Sequence, residues 1–309
     1  GHCLAMIALP PLALYVHIPW CVKKCPYCDF NSHAANKIPQ RHYVDALTRD
    51  LQSELQFVQN RKLVSIFFGG GTPSLFDADA IAAIIESADK LIGFNGEIEI
   101  TLEANPGTVE QKKFGDFRRA GVNRISLGVQ SFNAQHLALL GRIHDRAQAL
   151  TAIDAIRDAG FDTFNIDLMH GLPGQTQSQA EEDIHTALAF NPPHLSWYQL
   201  TIEPNTEFFR RPPQLPHDDV LADIQESGEA LLAAHGYSHY EISAFSLPGH
   251  EARHNVNYWE FGDYIGIGAG AHGKLTFVGG GDSSCSDQLS IIRRSNTRIP
   301  SHYLARTGD

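Results

Sequence analysis

The sequence has no surplus of positive charge: 24 Lys and Arg stand against 35 Asp and Glu, a formal net charge of −11. A surface that binds nucleic acid or an anionic membrane gathers cations against phosphates, so this balance argues against both. Long hydrophobic runs are also missing. None approaches the roughly 20 residues of a membrane-spanning helix. The apolar opening, GHCLAMIALPPLALY, has no basic leader and is broken by Pro10 and Pro11, so it does not read as a signal peptide. Cysteine is scarce, with 5 in 309 residues and three of these crowded together, which is not the pattern of a secreted disulfide framework. No internal repeat is visible as sequence identity. At this length, and with 43% hydrophobic residues, the chain can hold one large barrel or two domains. A reducing cytoplasm is the consistent location.

What is present is concentrated in YVHIPWCVKKCPYCDFN, Tyr15 to Asn31, where Cys21, Cys25 and Cys28 share one loop. A disulfide pairs two cysteines, and a structural zinc usually takes four N or S ligands. Three close thiolates on one loop suit a [4Fe–4S] cluster with one iron left open, because such clusters are held by Cys thiolates. A zinc site completed by His17 or His33, or three free thiols, is the other reading of the same loop. The spacing resembles the CxxxCxxC loop of the radical S-adenosylmethionine (SAM) superfamily. There the open iron is chelated by the amino and carboxylate groups of SAM.

From residue 14 to about 203, apolar β-branched runs alternate with turns and helical periods. The runs are Leu14–Ile18, Val64–Phe68, Ile98–Leu102, Arg124–Val129, Thr163–Leu168 and His194–Leu200. Between them lie amphipathic segments. One aligns Val44, Leu47, Leu51, Leu55 and Val58; another aligns Ile81, Ile84, Ile85 and Ala88. Six strand–helix units of ~30 residues read as βαβ repeats around a parallel sheet. Six are too few for a closed eight-stranded barrel, so the expected fold is α/β, a partial (β/α)6 barrel over residues 1–203. Residues 204–309 form a C-terminal α+β extension. Prolines 204, 212, 213 and 216 mark the connection. A helix over Asp218–His235 turns Leu221, Ile224, Leu231 and Leu232 inward and ends at Gly236, followed by a strand over Tyr237–Ser243. Gly279 to Ser286 reads as a flexible turn, and Cys3 and Cys285 as bystanders.

The unusual residues follow the strand ends. After the second strand comes Gly69-Gly70-Gly71-Thr72, and after the third comes Glu103. Gln130 follows the fourth, and Asp167 lies near the end of the fifth. In parallel α/β barrels this rim forms the site. Each residue alone could be a turn, cap or solvated group. As a set they match the needs of SAM: acceptors for its ribose hydroxyls and ammonium, and a cation, Arg142, for its carboxylate.

Longer stretches resemble the oxygen-independent coproporphyrinogen oxidase family and, more closely, its haem-chaperone branch. They are HIPWCVKKCPYCDFNSH, IFFGGGTPS, TLEANPG, GVNRISLGVQSF, LGRIH, NIDLMHGLPGQ, NPPHLSWYQLTIEPNT and HNVNYW. The resemblance runs from about residue 12 to the end. It implies Cys21, Cys25 and Cys28 as cluster ligands and Tyr15, Gly70, Gly71, Thr72, Glu103, Gln130, Arg142 and Asp167 as SAM contacts. In that superfamily the reduced cluster splits SAM to a 5′-deoxyadenosyl radical. Two departures separate the chain from the oxidases. Their fourth cysteine is replaced by Phe30, and their longer arm before the cluster strand is cut to the fourteen residues preceding Tyr15. The HNxxYW signature, residues 254–259, belongs to the chaperone branch, and the family's final C-terminal domain is expected to be absent. The implied function is to bind haem as cargo and deliver it to acceptor haemoproteins, respiratory ones among them, with a dimer as one assembly this allows. His254 is the implied haem ligand, with Tyr258 and Trp259 against the porphyrin, and His272 is a weaker candidate. Oxidative decarboxylation of coproporphyrinogen III is the alternative, and a cluster-bearing binding protein that never cleaves SAM is a second.

Overall fold

The computed structural model describes residues 8–279 and 288–306. Cys3, Cys285 and the stretch from Gly280 to Ser286 lie outside the described residues. β1 (Leu12–Ile18) leads into two short strands, β2 (Trp20–Cys21) and β3 (His33–Ala34), which pair in parallel. The repeating units follow: α1 (Gln40–Glu54), β4 (Leu63–Gly70), α2 (Ala78–Leu91), β5 (Phe94–Ala104), α3 (Thr108–Ala120) and β6 (Arg124–Gln130). Then come α4 (Ala134–Leu139), α5 (Arg146–Asp158), β7 (Thr163–His170), α6 (Gln177–Leu188) and β8 (His194–Gln199). Beyond them lie α7 (Glu207–Arg210), α8 (Asp218–Ala234), β9 (Ser238–Glu241), β10 (Ala244–Ser246) and α9 (Arg253–Trp259). The last elements are β11 (Asp263–Ile267), β12 (His272–Gly279), β13 (Gln288–Ser295) and α10 (Pro300–Arg306).

The main sheet has 11 strands in the order β13-β12-β11-β1-β4-β5-β6-β7-β8-β10-β9. From β1 through β8 each strand pairs in parallel with the next. This is the succession of a partial (β/α) barrel, and the sheet stays open. The six expected strands are all present. A seventh parallel strand, β11, pairs with β1; its Ile-Gly alternation disguises it in the sequence. Gly266 is needed there because a Cβ would stand 2.1 Å from the His272 carbonyl oxygen, where β12 crosses. Strands from beyond residue 203 thus extend both edges of the sheet, with β10 antiparallel to β8 at the other end. α8 buries Ile224 and Leu232 and stops at Gly236, whose φ is 86°. The strand expected over Tyr237–Ser243 is confined to Ser238–Glu241.

Strand side chains alternate between two environments, as the period of two requires. Leu12, Leu14, Val16, Ile66, Phe68, Ile100, Leu102, Ile125, Leu127, Phe164, Ile166 and Leu195 are buried beneath the helices. These pack against Leu47 and Leu51 of α1, Ile81, Ile84 and Ile85 of α2, Phe114 and Phe117 of α3, and Ile153 and Ile156 of α5. Truncating one such core phenylalanine to alanine costs about 3–5 kcal/mol. The opposite positions carry Tyr15, His17, Phe67, Glu103, Arg124, Ser126, Asn165, Asp167, His194, Ser196 and Tyr198. A parallel sheet buried on both faces is ordinarily apolar on both. Here one face is polar, and it walls the interior of the open barrel.

Candidate cofactor site

The cysteine loop leaves the end of β1 and is closed at its base. His33 N donates to Pro19 O (2.6 Å), and Ala35 N donates to Cys21 O (3.3 Å). Within it, Cys28 N donates to Cys25 O (3.1 Å). All three thiols are free, and burial pushes those of Cys21 and Cys28 up. The two histidines weighed as a fourth zinc ligand are engaged elsewhere. His17 Nε2 donates to Asn31 O (2.7 Å) and its Nδ1 accepts from Tyr15 OH (3.0 Å), while His33 bonds Asn31 Oδ1 (3.2 Å). Among the described residues no three His, Cys, Asp or Glu side chains converge on one ion position. Cysteines of a cubane each bind a different iron, so a loop carrying a cluster has no need of such convergence.

The glycine loop after β4 is pinned beneath this loop. Gly71 N donates to Ile18 O (2.6 Å), and Thr72 N donates to Trp20 O (2.7 Å). A Cβ on Gly71 would meet Trp20 O at 2.3 Å; Gly70, at φ 115°, would meet Ile18 O at 2.7 Å. The close approach that demands glycine is therefore backbone against backbone, between the two loops.

A narrow cavity of about 150 Å³ lies at the strand ends. It is lined by Cys21, Cys25, Cys28, Gly70, Gly71, Thr72, Glu103, Gln130, Arg142 and Asp167, all expected from sequence. Gln130 stands at φ 69°, a rare backbone for a residue with a side chain, where β6 bulges against β7. The bulge turns its amide to the cavity, where Tyr198 OH donates to Gln130 Oε1 (2.6 Å). Arg142 donates to Asn105 Oδ1 (2.9 Å), Gly128 O (2.8 Å) and, more weakly, Cys25 Sγ (3.7 Å); its Nε is buried without a partner. Burial, and then the neighbouring Asp167, push the Glu103 carboxyl up to about 8. Burial raises Asp167 as well. Two desolvated carboxyls that disfavour their own charge make a site that gains from an incoming cation, while Arg142 offers a free donor to an anion. SAM carries both charges, so the donor set fits it. Sequence reasoning missed Asn105, Tyr198 and Tyr27, which also line this cavity. Asn105 was in plain view in TLEANPG; the aromatic pair gave no signal.

Tyr15 and His254 are not brought into this cavity. They line a second one of about 570 Å³, between β1, β11 and α9, with His17, Phe30, Tyr258, His272 and Arg298. Phe30 lines both cavities. His254 stacks on Phe67 with ring centroids 4.6 Å apart and lies 6.2 Å from the Tyr15 ring. Its Nδ1 is buried and unpaired, and burial, with Arg124, pulls the ring down to about 4. The imidazole is therefore neutral at pH 7, the form that ligates metals. Tyr258 reaches this cavity and Trp259 does not; both are exposed, at 62% and 48%.

The open parallel sheet, the polar interior and three thiols over the strand ends define an α/β protein that seats a cofactor at the rim of a partial barrel. The family model described as "Radical SAM superfamily" matches residues 15–187. The chain is 54% identical to "Heme chaperone HemW" of Haemophilus influenzae, over 97% of this chain and 77% of that protein. It is 52% identical to "Heme chaperone HemW" of Escherichia coli, with the same coverage. Among solved structures, coproporphyrinogen III oxidase (HemN) from Escherichia coli, a radical SAM enzyme, superposes with TM-score 0.80. That match has 25% identity and covers 97% of this chain and 70% of that one. The chain belongs to the radical SAM superfamily and, within it, to the family of the heme chaperone HemW. No helix among the described residues is long and apolar enough to cross a membrane.

Proposed function

We propose that this chain is a cytoplasmic haem chaperone that takes up haem and passes it to acceptor haemoproteins, respiratory ones among them. Residues 1–203 hold a [4Fe–4S] cluster through Cys21, Cys25 and Cys28. They hold SAM through Gly70, Gly71, Thr72, Glu103, Gln130, Arg142 and Asp167. Tyr15 lines the second cavity but is near enough to Glu103 to feel its charge, and it contacts SAM from that side. Residues 204–309 supply His254 to the iron of haem. Bound together, the cluster and SAM supply one-electron chemistry. The protein's part is to orient SAM by its charges, to keep water from the rim, and to present a neutral imidazole.

One observation carries the haem reading: the neutral ring of His254, whose buried Nδ1 has no partner, lines a 570 Å³ cavity with aromatic walls, a size within the ~300–1,000 Å³ of small-ligand sites. Arg298, which lines the same cavity, provides a cation for a porphyrin carboxylate. The HemW names of the two bacterial relatives support the same reading.

The test is a haem titration of the anaerobically reconstituted protein beside His254→Ala, followed in the Soret band. Saturable binding lost in the variant is expected, and equal binding in both moves the iron ligand elsewhere. Formation of 5′-deoxyadenosine reports whether SAM is cleaved. Turnover of coproporphyrinogen III to protoporphyrinogen would overturn the chaperone reading.

A further inference from the structure

A directed chain of hydrogen bonds crosses the barrel interior from the first cavity to the helix that carries His254. Asn165 Nδ2 donates to Asp167 Oδ1 (2.7 Å) and to Ser126 Oγ (3.0 Å). Asn165 Oδ1 accepts from Ser196 Oγ (3.1 Å) and pairs with His194 Nδ1 (2.7 Å). An amide oxygen only accepts, so His194 Nδ1 carries the proton. Burial and the nearby Arg124 hold the His194 ring far below its usual range, so it is neutral and Nε2 presents a lone pair. Tyr240 OH, 2.6 Å away, therefore donates to Nε2. The tyrosine oxygen is left to accept, and it takes Ala252 N (3.1 Å) and Asn255 Nδ2 (3.0 Å). From Tyr240 through His194 and Asn165 the donors all point toward Asp167, with Ser126 and Ser196 as side branches on Asn165. Asn165 and His194 are 2% and 1% exposed, so water cannot substitute for a broken link.

The far end of the chain holds a weak element. α9 has seven residues, and its N-cap, Ala252, offers no side chain to the first turn. The partners from outside α9 at that turn are Tyr240 OH, on Ala252 N and Asn255, the Glu99 carboxylate, on Arg253 N (3.0 and 3.1 Å), and the Glu97 carbonyl, which accepts from Arg253 Nη1. An isolated helix this short has little stability of its own, so its seating depends on such anchors. His254 lies between Arg253, which Glu99 holds, and Asn255, which Tyr240 holds.

We propose that Asn165, His194 and Tyr240 are positioning residues that couple occupancy of the first cavity at Asp167 to the seating of α9, and so to the haem affinity of His254. The inference rests on the reading that the first cavity takes SAM and the second takes haem. A cationic ligand beside Asp167 competes for the oxygen that Asn165 now engages. The polarised chain relays that change to the tyrosine hydroxyl at the helix N-terminus. Linkage is reciprocal, so haem must alter SAM affinity by the factor by which SAM alters haem affinity.

Hydrogen–deuterium exchange of the peptide spanning 252–260 tests this in anaerobically reconstituted protein, with and without SAM. A haem titration runs under the same two conditions. In the unaltered protein SAM is expected to change both the exchange rate and the haem affinity by about fivefold or more, the usual scale of coupled sites. Tyr240→Phe keeps the ring and removes the hydroxyl, and Asn165→Leu cuts the chain midway. Both variants should still bind SAM and haem, with the mutual dependence gone. Exchange that ignores SAM in the unaltered protein overturns the proposal. So does a SAM effect that survives intact in Tyr240→Phe and Asn165→Leu. If haem fails to bind while exchange still answers to SAM, the haem reading falls and the coupling stands.

Discussion

Glu103→Gln should make the SAM-free protein more stable, and by an amount that grows with pH. Burial and Asp167 raise the Glu103 carboxyl from 4.5 to about 8. A raised carboxyl binds a proton in the native state that the unfolded chain has already lost. Native stability is therefore complete below pH 4.5 and falls as pH rises toward 8. Glutamine keeps the neutral form's shape at every pH, so the difference between variant and parent isolates this group. Linkage between pKa values of 4.5 and 8 gives a difference of about 1 kcal/mol at pH 5 and about 3 kcal/mol at pH 7. Urea unfolding of the anaerobically reconstituted protein and its variant, across pH 5 to 8, measures it. The same substitution should weaken SAM binding at least tenfold, because it removes a charge that the ligand's cation would stabilise. A stability difference flat with pH would show that Glu103 ionises freely in the cavity, and the electrostatic case for a cation there would collapse.

Other substitutions test other parts of the site. Arg142→Leu strands the acceptors Asn105 Oδ1 and Gly128 O, at about 1–3 kcal/mol of stability. Calorimetric titration should show SAM affinity lost by more than tenfold. Gly71→Ala drives a Cβ to 2.3 Å from Trp20 O, so the cluster loop must shift, and iron content after reconstitution should fall well below that of the parent. Asp50→Ala removes the acceptor that Gly268 N (3.1 Å), Asn296 Nδ2 (2.9 Å) and Tyr303 OH (2.7 Å) share beneath the second cavity. Thermal unfolding should report a loss of about 3–5 kcal/mol, together with weaker haem binding.

The rim of the barrel was legible because its chemistry is local. Cysteine spacing, a glycine run after a strand, and carboxylates at strand ends are each set within a few residues of sequence. Ten of the residues singled out meet in one cavity as a result. The interior was less legible because it is assembled by register. Asn165 meets His194 across 29 positions of sequence, and His194 meets Tyr240 across 46. In the sequence these three sit within or near apolar runs and look like core. The signal that could have found them is the period of two: in Thr163–His170, Phe164, Ile166 and Leu168 alternate with Asn165 and Asp167. The placement of Tyr15 was hidden for the same reason, since only the pairing of β11 with β1 builds the wall that faces it.

That polar inner face also bears on why the barrel stays open. Ser65 Oγ, Thr101 Oγ1 and Arg124 Nε are buried on it without partners, and His254 Nδ1 joins them. Each such group costs about 1–3 kcal/mol unless water or a ligand satisfies it. A closed barrel packed for stability would fill these positions with branched aliphatic side chains, as parallel barrels ordinarily do. Here the sheet instead buries its aliphatic side chains against the helices and gives its interior to a guanidinium, two carboxyls and two neutral imidazoles. Stability is supplied by one face and binding chemistry by the other. The glycine-rich turn after β11 and the cysteine loop after β1 then meet at the strand ends, where Asn31 Nδ2 donates to Ala269 O (3.1 Å). Phe30, adjoining that contact, is the side chain common to both cavities. The same ring thus stands in the wall of both cavities. The two sites are neighbours through Phe30 at the rim and through the Asp167–Tyr240 chain at depth.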